Sequence, residues 1–278
     1  MIMKKWGLLG VLALFLAAGV SATYISLSTA VNLDVIINTT STEANITITN
    51  QGDEPAFDVI VEPTFPTGFT GEQINIGNIN PNQTVVRTLK IGIPSDATPG
   101  RYSMGLLMRY NDVNSYPFTF VTPVKFFYKT AVQSNIWGSM NEVELSGDEK
   151  ETLTLKIQNR DDKQRQVSIR LYAPNQIAVD EKDKSITLAP NSETTIDFTV
   201  SSIGALPGGD YFVFAILDYD EEGKHYSVPS NGRIMTAKER SFMGLLAPVI
   251  VVIVLVLVVA LLYLQLRQNQ PVKAAKKR

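Results

Sequence analysis

The stretch "DYDEEGKHY" gathers four carboxylates, Asp218, Asp220, Glu221 and Glu222, beside the single histidine of the chain, His225. Oxygen-rich turns of this kind hold calcium, which takes six to eight oxygen ligands. The spacing matches no defined calcium loop, and Asp-Glu-Glu-Gly is a good hairpin turn by itself, so a solvated turn explains the cluster equally well. With one histidine and no cysteine, disulfides, thiolate metal sites and histidine pairs are excluded. Catalysis would have to rest on carboxylates alone. These fall in turns instead of converging, and no Gly-rich phosphate loop follows a strand, so the sequence argues against an enzyme and implies no cofactor.

Three further positions could carry chemistry of another kind. Asn38, Asn45 and Asn82 each open an Asn-x-Ser/Thr sequon. In a glycosylating host these would be sugar-bearing surface positions; otherwise Asn and Thr are simply frequent in turns and strands. Asn45 lies within a strand pattern and must face outward to be modified.

The elements that position these residues are framed by two apolar segments. "MIMKKWGLLGVLALFLAAGVSA" has a charged start, an apolar run from Trp6 to Val20 and a small-residue cleavage site, as a signal peptide over 1–22 does; an uncleaved anchor is the alternative. Gly244–Leu266 holds 23 residues without a charge, long enough for a transmembrane helix, within a span expected over 241–266. The basic tail, 267–278, fits the cytoplasmic side. The expected location is therefore the cell membrane, single-pass, with the ectodomain outside. The first 22 residues hold two lysines and the last 35 hold five basic groups, neither with an acid. That leaves 18 basic and 27 acidic residues between, a net charge of −9, which would repel nucleic acid.

The body repeats itself. Asn50 and Asn159, Pro81 and Pro190, Tyr102 and Tyr211, and Tyr110 and Tyr219 are all 109 residues apart. Two copies follow, over 23–130 and 131–240, each of ordinary domain size. "ANITITN" and "ETLTLKIQN" alternate apolar and polar residues and stop at Asn-led turns, and no stretch shows a sustained helical period. Pro81-Asn82 and Pro190-Asn191 read as corners between strands. About seven short strands per copy predict an all-β chain of two tandem immunoglobulin-like β-sandwiches plus one C-terminal transmembrane helix. A short linker, Thr236 to Ser241, would keep the second domain near the bilayer and let the first project outward.

"NQGDEPAFDVIVE" and "IPSDATPGRYSM" in the first copy, and "NRDDKQRQVSIRL", "LAPNS" and "LPGGDYFVF" in the second, carry a resemblance. The chain resembles tandem Ig-like, fibronectin-like domains of archaeal and bacterial cell-surface proteins, namely alpha-galactosidase-associated, cell-adhesion-related and S-layer-type domains. The shared motifs are turns and corners. They imply fold and surface location and transfer no functional residue.

One strand pair differs between the copies. If orientations match, Tyr102, Met104, Leu106, Met108 and Tyr110 face one core, and Tyr211, Val213, Ala215, Leu217 and Tyr219 the other. The opposite face of the first strand, Ser103, Gly105, Leu107 and Arg109, reads as ordinary outer surface. That of the second is apolar: Phe212, Phe214 and Ile216. A contiguous apolar patch outside a core marks a contact surface. It would meet a partner protein, a second copy of the chain or the neighbouring domain, unless a loop covers it or the faces are reversed. The expected function is a membrane-anchored extracellular binding, adhesion or spacer protein of the envelope, with an envelope protein or a cell-wall glycan as partner and homo-oligomers possible. The alternative is an accessory subunit of a membrane transport, secretion or pilus complex, docked through the second domain and the span.

Overall fold

The computed structural model describes residues 24–33, 36–147 and 149–237, together with Val252, Val256 and Ala260. The run from Trp6 to Val20, the basic tail and nearly all of Gly244–Leu266 lie outside the described residues. Among the described residues no helix is long and apolar enough to cross a membrane. The strands through Thr236 belong to one compact unit, and it is all β.

The first copy contributes β1 (Leu27–Asn32), β2 (Ile36–Ile37), β3 (Ser41–Asn50), β4 (Ala56–Thr64), β5 (Ile74–Ile79), β6 (Thr84–Gly92), β7 (Gly100–Asn111) and β8 (Pro117–Tyr128). A sheet of order β1-β3-β6 faces a second of order β5-β4-β7-β8, with β2 added in parallel to β8. Between them Ile46, Ile48, Val61, Leu89, Met104 and Leu106 are buried. The alternation in "ANITITN" is the cause: period-two apolar residues share one face of a pleated strand, and that face becomes core.

The second copy contributes β9 (Ile136–Met140), β10 (Glu142–Leu145), β11 (Glu151–Asn159), β12 (Arg165–Tyr172), β13 (Ile177–Val179), β14 (Asp183–Leu188), β15 (Glu193–Ser202), β16 (Asp210–Glu221) and β17 (Lys224–Thr236). Here the sheet β13-β15-β11-β9 faces β14-β12-β16-β17, with β10 parallel to β17. Leu153, Leu155, Val167, Phe198, Val213 and Leu217 fill this core.

The 109-residue landmarks have a structural cause. Asn50 is fully buried; its Nδ2 donates to the carbonyls of Glu54 (2.8 Å) and Ile79 (3.1 Å), and its Oδ1 accepts from Gly52 N (3.0 Å). Asn159 repeats the pattern with Lys163 O (2.8 Å), Ala189 O (2.9 Å) and Asp161 N (3.0 Å). Each staples the turn after its strand to the Pro-Asn corner, where Asn82 (φ 60°) and Asn191 (φ 47°) take the left-handed conformation that Asn tolerates. The backbone closes the same joint, Asn82 N to Asn50 O and Asn191 N to Asp161 O, each 2.8 Å.

The copies are not stacked end to end. β7 lies beside β17 and parallel to it, and therefore runs opposite to its equivalent β16, which contacts β8. The start of β7 at Gly100 bridges His225, at the start of β17, while Tyr116, just beyond the end of β7, donates its hydroxyl to Gly204 O (2.6 Å), ahead of β16. The two sandwiches therefore make a lateral contact. A face that is apolar in sequence can be covered laterally, and the lateral contact folds the tandem back on itself.

Candidate functional site

The seam between the sandwiches is built from the two faces singled out in the sequence. Phe214 and Ile216 are buried with Val121, and Leu107 and Tyr172 pack against them. The Phe214 ring stacks on Tyr172, centroids 4.8 Å apart. Position 105 is the repeat equivalent of 214 and holds glycine, and a methyl group there would stand 3.2 Å from the tip of Phe214. The outer-surface expectation for Ser103 and Gly105 is corrected: both are buried, and Leu107 is half-buried. Small residues at that face admit the large ones of the other copy. Phe212 does not join the seam and is 60% exposed.

Polar clamps hold the two ends of the seam. At one, Thr119 Oγ1 donates to Gln176 Oε1 (2.5 Å) and accepts from Asn175 N (2.7 Å), while Gln176 Nε2 donates to Pro117 O (3.0 Å). At the other, His225 N donates to Pro99 O (2.9 Å), and the His225 ring stacks on Tyr102 of the first sandwich at 4.2 Å. Gly100 (φ 151°) makes this close approach possible, since a Cβ there would lie 2.0 Å from His225 O.

The His225 ring lies between two carboxylates: Nδ1 is 2.9 Å from Asp220 and Nε2 3.5 Å from Asp218. Burial disfavours its charge, but the bonds and charges of Asp218 and Asp220 together outweigh this and raise its pKa. Tyr102 is pushed up to about 12, mainly by burial, and stays neutral. A raised histidine pKa contributes stability that is complete below its unfolded value, roughly 6.5, and is lost as pH rises through the folded value. The melting temperature is therefore expected to fall across that upper window, and His225→Gln to flatten the profile; equal pH profiles for the two proteins would refute the clamp.

The four acidic residues of the hairpin do not converge. Asp218 and Asp220 serve His225, whereas Glu222 pairs with Lys163 (2.7 Å), and Glu221 pairs with Arg165 and Lys163. Lys163 draws the Glu222 pKa below its ordinary value. Among the described residues no group of three or more His, Asp or Glu is placed to hold a metal. All three sequon asparagines are exposed: Asn38 beyond β2, Asn82 at its corner, and Asn45 on β3, where Oδ1 accepts from Thr88 Oγ1 (3.0 Å).

Beside the His225 clamp an open cleft of about 870 Å³ lies between the sandwiches. Its walls include Phe65, Tyr102 and Ser103 from the first copy and Arg170, Tyr172 and Asp183 from the second. Arg170 and Asp183 are ion-paired, Ser103 Oγ has no hydrogen-bond partner, and burial raises the Tyr172 pKa. Rings next to hydroxyl, guanidinium and carboxylate groups suit an uncharged, polyhydroxylated ligand that offers both apolar faces and hydrogen-bonding edges. Sequence reasoning missed Arg170, Tyr172 and Asp183. They are single residues of alternating strands, and only the lateral folding of the tandem brings them opposite Phe65.

Comparison with known proteins gives a partial match. No curated protein matches the chain. Among solved structures, a mutant of Salmonella alpha-2-macroglobulin is 13% identical with TM-score 0.34, over 76% of this chain and 16% of that one. Escherichia coli alpha-2-macroglobulin activated by porcine elastase is 14% identical with TM-score 0.32, over 80% and 23%. The chain thus spans less than a quarter of either protein. Residues 39–111, most of the first sandwich from β3 through β7, match the family described as the NPCBM-associated, NEW3 domain of alpha-galactosidase.

Proposed function

We propose that the chain is a non-enzymatic binding and spacer module of the cell envelope, anchored by its apolar segment, whose inter-sandwich cleft takes a glycan. The cleft carries the reading, because it sets the half-buried rings of Phe65 and Tyr172 beside the paired Arg170 and Asp183 at a clamped joint. The NEW3 match adds support through its named association with alpha-galactosidase, an enzyme of glycans. The resemblance to archaeal and bacterial surface domains agrees with an extracellular site.

One observation weighs against the accessory-subunit reading. Phe214 and Ile216, which an accessory subunit would have used for docking, are occupied within the chain.

Binding of the full-length protein to an array of cell-wall and surface polysaccharides tests the proposal. Arg170→Ala and Asp183→Ala remove exposed polar groups from the cleft and should each weaken binding about tenfold, the worth of a charged hydrogen bond. Wild-type binding that both variants leave unchanged would remove the cleft from the function. Absence of glycan binding, with a stoichiometric membrane protein co-purifying, would favour the accessory role.

A further inference from the structure

Among the described residues of the β body, seven large apolar side chains are exposed: Tyr24, Val86, Val113, Trp137, Ile203, Leu206 and Phe212. Scattered singly, such residues are ordinary. Here five of the seven, all but Val86 and Trp137, gather at one end of the side-by-side pair. Tyr24 O accepts from Asp53 N and Glu54 N, and Val113 N donates to the Glu54 carboxylate (3.4 Å), which places both at the end of the first sandwich where β7 finishes. Tyr116 of the same hairpin bonds Gly204 O, next to Ile203. Thr236 Oγ1 donates to Leu206 O, and Phe212 pairs with Arg233 two rungs from Met235.

Both chain ends of the body leave from this same end. Tyr24 follows four residues after the apolar run that closes at Val20, and seven residues separate Thr236 from the uncharged segment that starts at Gly244. Seven extended residues span at most about 25 Å. Three of the nearby carboxylates are engaged locally: Asp53 with Tyr24 N (2.7 Å), Asp112 with the N–H groups of Asn114 and Tyr116 (2.8 Å each), and Asp210 with Arg233 (2.7 Å), while Glu144, opposite Met235, is exposed.

We propose that this end is a lipid-contacting surface: Tyr24, Val113, Ile203, Leu206 and Phe212 rest in the interface of the bilayer in which the chain is anchored. Two aromatic rings and three aliphatic tips set around the exit points are the residue types that partition to the headgroup level. The inference rests on the anchoring proposed above. It gives the body an orientation, with both sandwiches touching the membrane and the cleft beside His225 at the far end, open to the exterior.

The chain has no cysteine, so single labels are free of background. Full-length Val113→Cys, Leu206→Cys and Phe212→Cys, each carrying an environment-sensitive fluorophore, are reconstituted in phosphatidylcholine vesicles containing spin-labelled lipid. Ser95→Cys, at the opposite end, is the control. Quenching by the lipid at the first three positions, several-fold above the control, is expected. Labels open to aqueous iodide and untouched by lipid, on a chain that floats with its vesicles, would overturn the lipid contact and leave anchoring intact. Shielding from both quenchers would put a second copy of the chain on the surface and also overturn it. A chain that fails to float would remove the anchoring and the lipid contact together.

Discussion

Phe214→Asp is expected to part the two sandwiches and leave each folded. Phe214 is 1% exposed, yet it belongs to neither sandwich core; its neighbours are Val121, Leu107, Ile216 and Tyr172. Truncating a buried phenylalanine alone costs about 3–5 kcal/mol. Aspartate adds a carboxylate with no partner in an apolar seam, which parting the sandwiches relieves by hydration. The clamps at Gln176 and His225 remain, but they lose the apolar contact that excludes water between them. Small-angle scattering should show a larger radius of gyration, and calorimetry should resolve two transitions where the wild type is expected to melt in one. Loss of the second sandwich's near-ultraviolet circular dichroism would instead assign Phe214 to that core.

The second large effect is expected from the buried asparagines. Asn159→Ala leaves the carbonyls of Lys163 and Ala189 and the N–H of Asp161 without their partner. At about 1–3 kcal/mol for each unsatisfied buried group, partly relieved by water, the loss is about 3–6 kcal/mol. That is a large share of a domain stability of about 5–15 kcal/mol. Asn159→Asp keeps the size but loses both donors, and it should be nearly as damaging. Asn50→Ala should act on the first sandwich in the same way. Denaturant titration with tryptophan emission in a Trp6→Phe background follows the second sandwich, since the other tryptophan, Trp137, lies on β9. A shift of less than about 1 kcal/mol in Asn159→Ala would show that the staple is dispensable.

Much of this architecture was legible in the sequence. Alternation identified the inward residues of β7 and β16, because a strand with one covered face must repeat every second residue. The repeat landmarks were legible too, and the buried staples of Asn50 and Asn159 explain why their spacing is shared. The seam was only half visible. Phe214 and Ile216 announce a contact through their hydrophobicity, whereas Ser103 and Gly105 give no hydrophobic signal, since a small residue at a close approach looks like exposed surface. The cleft was invisible because Phe65, Arg170 and Asp183 are distant in sequence and belong to no motif.

The pairing of Gly105 with Phe214 has a consequence for assembly. Two first-copy faces set against each other would leave a hollow at their centre, and two second-copy faces would collide ring on ring. Neither half can therefore mate well with its own kind, and the knob of one chain finds its socket already filled by the other half of the same molecule. The duplication, having become unequal at one position, disfavours pairing between like halves of different molecules and leaves each half complementary only to the other kind.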